Sequence, residues 1–157
     1  MKNKDLGYNH QDLIYLPVRG ELRNKYQSLK NELLKHSAIK GVTASNHLPT
    51  HGNESLLENW DGNNGQKKLV VNVFSVDYDY LETLDIKVTN GRSFSKTFAG
   101  DLSNSVIVNE EAVKQMGMKS PLGKKIWGNE IVGVVNNYHF KSLHKISHQA
   151  VILIQCM

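Results

Sequence analysis

Short apolar runs bounded by Asn, Asp, Gly or Pro recur along the chain and constrain its fold more than any other feature. Each run has four to nine residues, the length of a β-strand rather than of a buried helix. The runs lie at residues 12–18, 39–45, 68–76, 105–109, 124–127, 130–136 and 150–154. Because helical segments separate several of them, the pattern predicts an α+β fold.

The first third of the chain predicts one strand–helix–strand unit. Between the runs at 12–18 and 39–45, residues 21–37 have the pattern of an amphipathic helix. Its apolar stripe has spacings of four, three and four and consists of Leu22, Tyr26, Leu29 and Leu33. Such a unit needs more sheet to bury its apolar face.

A second strand–helix–strand unit follows after a long segment that is rich in Gly, Asn and Ser. The strand at 68–76 leads into a short helix at 77–84, for which Asp77 is the expected N-cap. A further strand then reaches the turn at Asn90–Gly91. Two units in tandem predict a split β-α-β sheet with helices on one face.

Residues 47–67 are the segment between the two units, and their composition predicts a long loop. A loop of this length in a compact domain is usually functional or mobile. It carries three large apolar residues, Leu56, Leu57 and Trp60. These side chains either fold back into the core or form an exposed docking surface for a partner, and we take them as the candidate docking surface.

The last third predicts a smaller β-rich lobe. The strand at 105–109 ends at Asn109, a suitable N-cap for a two-turn helix that stops at Gly117. Gly128–Asn129 then reverses the chain into the strand EIVGVVN, where Gly133 indicates a bulge or a close backbone approach. The expected core residues of this part are Val106, Val108, Ile131, Val134 and Val135.

The bulk composition excludes several classes of protein. With 39% hydrophobic and 22% charged residues, the 157-residue chain can bury a core. Its formal charge of +4 is spread along the sequence, which argues against nucleic-acid binding. Cys156 is the single cysteine and can form no internal disulfide. No apolar run approaches a membrane span, and the start lacks the apolar region of a signal peptide. Because the start reads as mid-protein sequence and the chain stops just after an apolar strand, we expect a segment cut from a larger protein.

Catalytic and metal-binding motifs are absent from the sequence. There is no P-loop, GxGxxG, GxSxG, HExxH or CxxC pattern. No carboxylate or cysteine lies among His139, His144 and His148 to complete a metal site. His47 and His51 lie near serines and an aspartate, without the local signals of a hydrolase. We predict no catalytic residue, no metal and no cofactor.

The stretch Asn136–Phe140 could be an active site or a corner of the chain, since amides, a phenol and an imidazole follow a buried strand. We interpret it as a corner. Its amides would cap free backbone groups. Tyr138, His139 and Phe140 would form the junction between two lobes, with Tyr138 or Phe140 buried there.

Four motifs in order resemble the periplasmic core domain of MacB-like and FtsX-like ABC transporter permeases, and together they cover nearly the whole chain. They are LIYLPVRGELRNKYQSLKNELLKHSAIKGVTASNHLP, FSVDYDYLETLDIKVTNGRSFS, SVIVNEEAVKQMGMKSPLGKKI and IVGVVNNYHFKSLH. The opening NKDLGYNHQDLIYLP is similar to the Bacteroidetes type, where it follows a transmembrane helix, and the chain resembles the second of two such domains. Asn137 departs from the family, which often has Asp there.

The resemblance implies a fold of two lobes. Residues 1–98 and 145–157 would form a porter-like lobe of two strand–helix–strand units, and residues 99–144 a smaller β-rich lobe of the kind called Sabre. The final strand at 150–154 would return to the porter-like lobe.

The resemblance also implies a function without catalysis or cofactor. The domain would transmit ATP-driven movement to substrates or partner proteins outside the inner membrane. Its expected partners are the cytoplasmic ATPase subunit, periplasmic or outer-membrane proteins, and a second copy in the intact transporter. Two alternatives stay open from the residues alone. One is a module that binds a peptide, lipid or antibiotic in an apolar pocket. The other is a hydrolase using His47 or His139.

Overall fold

The computed structural model describes residues 8–9, 11–49, 52–138 and 150–154 of the chain. Seven strands form one sheet in this part of the molecule: β1 Asn53–Leu57, β2 Leu69–Val76, β3 Val88–Gly91, β4 Ser105–Asn109, β5 Lys125–Ile126, β6 Asn129–Val135 and β7 Ala150–Ile154. The helices are α1 Glu21–Asn24, α2 Tyr26–Leu33, α3 Tyr80–Thr83 and α4 Glu110–Met116, and a 3-10 turn spans Ala99–Leu102. The α+β class predicted from the sequence is confirmed.

The strand β7 lies in the middle of the sheet, between β2 and β4. The strand order is β1-β2-β7-β4-β6-β3, and β5 also pairs with β6. β7 runs parallel to β2 on one side and antiparallel to β4 on the other. A strand from the end of the sequence therefore joins the strands of the first half to those of the second half.

Two apolar clusters cover the two faces of this sheet. Successive residues of a strand point to opposite faces. In β4, Ile107 belongs to the first cluster, whereas Val106 and Val108 belong to the second. The first cluster also contains Phe74 and the second Val71, both from β2. Each face thus draws side chains from both halves of the sequence.

Gly133 marks both a bulge and a close backbone approach, as its place in a strand predicted. The register between β4 and β6 shifts there, since Ile131 pairs with Val106 and Gly133 with Ile107. Val132 is the extra residue, so Ile131 and Val134 point to the same face. A Cβ atom on Gly133 would overlap the carbonyl oxygen of Arg92, which is why the strand requires glycine here.

The segment from β4 to α4 follows the local signals of the sequence. The Asn109 side chain accepts a hydrogen bond of 3.0 Å from the Ala112 amide, and Gly117 ends the helix at φ 71°. The five predicted core valines and isoleucines of this region are all buried. The hairpin turn lies one residue earlier than predicted, at Trp127–Gly128, where both residues have positive φ.

The first predicted strand–helix–strand unit is wrong in both of its strands. Residues 13–19 belong to no strand of the described structure, and the 39–45 segment makes a single bridge, from Ser45 to Val76. The reason is that β1 pairs with residues 69–73 of β2 and β7 takes its other edge at 72–76. On the side of β1, only the end of β2 stays free, and Ser45 makes its bridge there. The helix between them divides into α1 and α2 at Lys25.

The segment 47–67 is not only a loop, because it contains the edge strand β1. Residues 53–57 pair with β2 in an antiparallel ladder. The predicted division into a porter-like and a Sabre-like lobe stays a prediction, since the described strands form one continuous sheet. Within the part of the chain that the structure describes, no helix has the length and apolar character needed to cross a membrane.

The tight contact at Gly133 yields a first prediction. We expect Gly133→Ala to lower the free energy of unfolding by about 3 kcal/mol, because the new methyl group meets backbone and not a movable side chain. Gly100→Ala is the matched control: its Cβ would have no atom within 4 Å, and we expect a change within about 0.5 kcal/mol. Urea unfolding of both variants measures this, and equal effects would contradict the account.

Candidate functional site

The candidate docking surface is wrong for two of its three residues. Leu57 and Trp60 are buried in the second cluster, with exposed fractions of 0% and 5%. The physical reason is a short ladder that fastens this segment to β5. Trp60 bridges Ile126, and the Asp61 carboxylate accepts a hydrogen bond of 2.8 Å from the Lys125 amide. Leu56 alone is exposed.

The predicted junction lies partly outside the described residues. Tyr138 is buried, and its ring packs edge-on against Tyr8 and tilted against Phe74, with centroids 6.3 and 6.5 Å apart. His139 and Phe140 belong to the residues that the structure does not describe. The role of Tyr138, His139 and Phe140 as an inter-lobe junction therefore stays a prediction.

The two amides before Tyr138 cap backbone groups, as their place at a corner predicted. Asn136 accepts a hydrogen bond of 2.8 Å from the Lys87 amide through its side chain. The Asn137 side chain accepts one of 2.9 Å from the Glu111 amide, in the first turn of α4. An amide oxygen thus fills the position where the resembling family often has a carboxylate, without adding a charge next to Glu111.

The histidines form no catalytic or metal-binding arrangement in the described part of the chain. No group of three His, Cys, Asp or Glu residues lies close enough there to hold a metal ion. The Ser45 hydroxyl donates to the backbone carbonyl of His47 and not to an imidazole. The other candidate histidines, His51, His139, His144 and His148, lie outside the described residues.

A polar cluster that the sequence analysis missed joins α2 to the end of β2. Lys30 lies on the buried side of α2 and is 5% exposed. Its ammonium donates to the Asp77 carboxylate at 2.6 Å and also to Asp79, and the Tyr26 hydroxyl donates to Asp77. Asp77 also accepts a hydrogen bond of 2.7 Å from the Asp79 amide, so it caps the turn before α3 and not α3 itself, whose N-cap is Asp79.

The protonation of this cluster follows from its burial and its charges. Burial raises the pKa of Tyr26, and the hydrogen bond to Asp77 and the two carboxylate charges raise it further. Burial alone would lower the pKa of Lys30, but the hydrogen bonds and charges of Asp77 and Asp79 outweigh it, so the pKa is raised. Lys30 is therefore held as a cation and Tyr26 as a neutral phenol.

A second missed cluster surrounds Asp101, which is buried at 1% exposure. Its carboxylate accepts two hydrogen bonds from the Arg92 guanidinium, at 2.6 and 2.9 Å. The Ser95 amide and the Ser105 hydroxyl donate to it at 2.8 and 2.9 Å. The guanidinium also stacks on the Phe98 ring, with 3.8 Å between its central carbon and the ring centroid.

The four donors around Asp101 offset the cost of burying its charge. Burial would raise the pKa of Asp101, but the hydrogen bonds from Arg92, Ser95 and Ser105 outweigh burial and lower it. The carboxylate stays ionised and ties together the ends of the segment between β3 and β4. Because its oxygens are occupied by donors of the chain itself, it is suited to holding structure and not to proton transfer.

The cavity at the end of α4 does not contain either polar cluster. It is an open depression of about 320 Å³. Its lining residues are Asp61, Gly62, Met116, Gly117, Met118, Lys119, Ser120 and Lys124. None of its ionisable side chains meets another across the depression in a hydrogen bond or ion pair in the described structure.

Among solved structures, domains of transport proteins are similar to this chain at modest sequence identity. The periplasmic region of MacB from Actinobacillus actinomycetemcomitans matches with a TM-score of 0.54 and 22% identity, over 79% of this chain and 60% of that one. The extracellular domain of the noncanonic ABC-type transporter YknZ from Gram-positive bacteria matches with a TM-score of 0.55 and 16% identity, over 82% and 61%.

A domain of a protein described as a permease, from Porphyromonas gingivalis, matches with a TM-score of 0.50 and 14% identity, over 72% and 49%. The chain thus has the fold of these periplasmic and extracellular domains, as the sequence motifs implied, and spans about half to three fifths of their length. No protein-family model and no curated protein matches the chain.

The Asp101 cluster yields a second prediction. We expect Asp101→Asn to lower the free energy of unfolding by about 2 kcal/mol, because it removes a buried carboxylate that accepts four hydrogen bonds, while the remaining Arg92 is 35% exposed and stays partly solvated. Asp85→Asn is the matched control, since the Asp85–Lys87 pair is 59% and 70% exposed, and we expect a change of about 0.5 kcal/mol. Urea unfolding at pH 7 compares the two, and a small effect of Asp101→Asn would contradict the assignment.

The lowered pKa of Asp101 adds a third prediction, on pH dependence. A carboxyl group with a lowered folded pKa stabilises the fold above its unfolded pKa, about 3.9, and loses that effect as pH falls through the folded value. The stability difference between the natural chain and Asp101→Asn should be full at pH 7 and shrink progressively below about pH 4. A difference in the free energy of unfolding that stays constant down to the pH of acid unfolding would contradict this prediction.

Proposed function

We propose that this chain is the extracytoplasmic domain of an ABC transporter permease, and that it transmits ATP-driven conformational change to substrates or partner proteins without catalysing a reaction. The observation that carries the proposal is the shared fold with periplasmic and extracellular transporter domains. The four ordered sequence motifs support the same kind of protein independently of the structural likeness.

A non-catalytic role is supported by what the buried charges do. The carboxylates of Asp77 and Asp101 accept hydrogen bonds from the chain's own side chains and amides. Carboxylates satisfied in this way hold elements of the domain to one another, and their oxygens are not free to bind or activate a substrate.

The proposed location is the periplasmic side of the inner membrane. The partners would be the cytoplasmic ATPase subunit, reached through the membrane part of the permease, and periplasmic or outer-membrane proteins. A second copy would lie beside it in the intact transporter. The work would be export, or extrusion of lipoproteins, peptides or drugs.

The proposed two-lobe arrangement would place residues 1–98 and 145–157 in one lobe and 99–144 in the other. In this arrangement β7, from the first group, and β4, from the second, would form a contact between the lobes. Relative movement of the two lobes would then bend the sheet at this contact between β7 and β4.

Transport by the complete permease tests the proposal and gives a fourth prediction. Replacing residues 8–154 by a short flexible linker should abolish transport while the ATPase subunit still hydrolyses ATP. The reason is that the cytoplasmic subunit would hydrolyse ATP, whereas this domain would only transmit the movement. Full transport by the shortened permease would refute the proposal.

The isolated chain provides the complementary measurement. It should neither hydrolyse ATP nor bind a peptide, lipid or antibiotic in calorimetry. Micromolar binding of a small molecule would instead favour the alternative, a periplasmic ligand-binding module.

A further inference from the structure

We propose that residues 11–40 form a hinged arm that is fastened to the sheet by one polar latch, consisting of Tyr26, Lys30, Asp77 and Asp79, and that opens without unfolding the body of the domain. This inference rests on the proposed function, because it names the part of the domain that would move when the transporter changes state.

The arm stands outside the apolar core. Among the described residues, neither apolar cluster contains a side chain from 11–40, although each contains side chains from both halves of the sheet. In α2 only Tyr26 and Lys30 are buried, and both belong to the latch. Leu29 and Leu33 are half-buried, and Leu22 is 45% exposed. Apolar burial therefore contributes little to holding the arm.

The hydrogen bonds of the arm also identify the latch as its attachment to the body. Within the described part of the chain, the backbone hydrogen bonds of residues 20–39 are local to the arm. Side-chain hydrogen bonds from the arm to the body come from Tyr26 and Lys30, and both reach the turn that contains Asp77 and Asp79. Among the described residues, this one contact region thus restrains the roughly thirty residues between the two ends of the arm.

Both ends of the arm are fixed to the body, which makes a hinge and not a free tail. On the N-terminal side, the Asn9 amide donates to the Leu84 carbonyl at 2.8 Å. On the C-terminal side, the Asp77 amide donates to the Ala44 carbonyl at 2.9 Å, and the Asn46 amide donates to the Ser75 carbonyl at 3.0 Å.

The latch holds the arm by paired charges and not by apolar packing. A buried ammonium between two carboxylates is held firmly while all partners are present, and removing one partner leaves a buried charge without compensation. An arm held by apolar packing would instead lose strength gradually with each truncated side chain. The latch therefore gives the arm two states, fastened and released, and local opening needs no loss of the core.

The arm also carries an apolar surface of its own. Four consecutive large side chains near its start are exposed: Leu13 by 43%, Ile14 by 84%, Tyr15 by 62% and Leu16 by 60%. They precede Gly20, whose φ of 59° turns the chain into α1. Release of the latch would change the position of these side chains relative to the sheet.

Hydrogen–deuterium exchange of the isolated chain tests the arm and gives a fifth prediction. In Lys30→Met, we expect the amides of α2 to exchange roughly 100-fold faster, because the opened state no longer has to break the latch. The amides of β4 and β6 should keep their natural rates. Lys35→Met is the matched control, since Lys35 pairs with Glu32 on the same helix but both side chains are 68% exposed, and its α2 amides should be unchanged.

Two outcomes would contradict the proposal of a hinged arm. One is equal acceleration of α2, β4 and β6 in Lys30→Met, which would mean that arm and body unfold together. The other is unchanged exchange in α2. If Lys30→Met does not fold, Asp79→Ala and Tyr26→Phe each remove one latch contact, and the same selective acceleration, smaller in size, is expected for both.

The exchange experiment separates this proposal from the proposed function. It reports on the arm of the isolated chain and needs no transporter, whereas loss of transport on deleting the domain reports on the function. A selective opening of α2 together with full transport by the shortened permease would support the arm and refute the function. Unchanged exchange in α2 together with loss of transport would refute the arm and support the function.

Discussion

The pairing of β7 between β2 and β4 is the constraint on which the rest of the sheet depends. β7 is the last strand of the sequence, and it fills the gap between the first-half strands β1 and β2 and the second-half strands β4, β6 and β3. Without this strand, the edges of β2 and β4 would each present unpaired backbone groups, which is costly in a buried sheet centre. The two groups of strands therefore become one sheet only when β7 pairs with both.

Closing the sheet in this way determines where the polar clusters lie. Asp77 follows the end of β2, and Asp101 lies just before β4, so both carboxylates sit next to strands that β7 brings together. Each carboxylate fastens a segment that has few apolar contacts of its own: the helical arm at Asp77 and the connection between β3 and β4 at Asp101. The apolar core holds the sheet, and the buried charges hold what is attached to it.

Local signals of the sequence predict the second half of the fold well. The strand, N-cap and C-terminal glycine around α4 are all correct, because each depends on neighbours within a few residues. Gly133 is predicted to mark a bulge or a close approach and marks both, since a glycine inside an apolar strand usually stands where the backbone bends or another backbone comes near. The resemblance to permease domains, carried by four ordered motifs, agrees with the fold of the similar structures.

Features that depend on distant pairing cannot be predicted in the same way. The apolar runs at 12–18 and 39–45 have the composition of strands, but whether they pair depends on which edges remain free after β1 and β7 bind β2. The burial of Trp60 has no local signal, because nothing near it in the sequence shows that Asp61 bonds to the distant Lys125. Lys30 does give a signal, since it lies four residues after Tyr26 on the apolar side of the helix, where a charge needs a partner.

The central claim is that ATP-driven movement reaches this domain, and distance measurements by electron paramagnetic resonance test it most directly. In the complete permease without Cys156, spin labels would be placed at Ser28 on the arm and Ser103 on the body, both exposed. The account predicts that this distance distribution shifts between the ATP-bound and ATP-free transporter. The distance between labels at Ser103 and Ser120, both on the body, should stay constant. If the distance distribution between Ser28 and Ser103 is the same with and without ATP, ATP-driven movement does not reach the arm of this domain, and the proposal is contradicted.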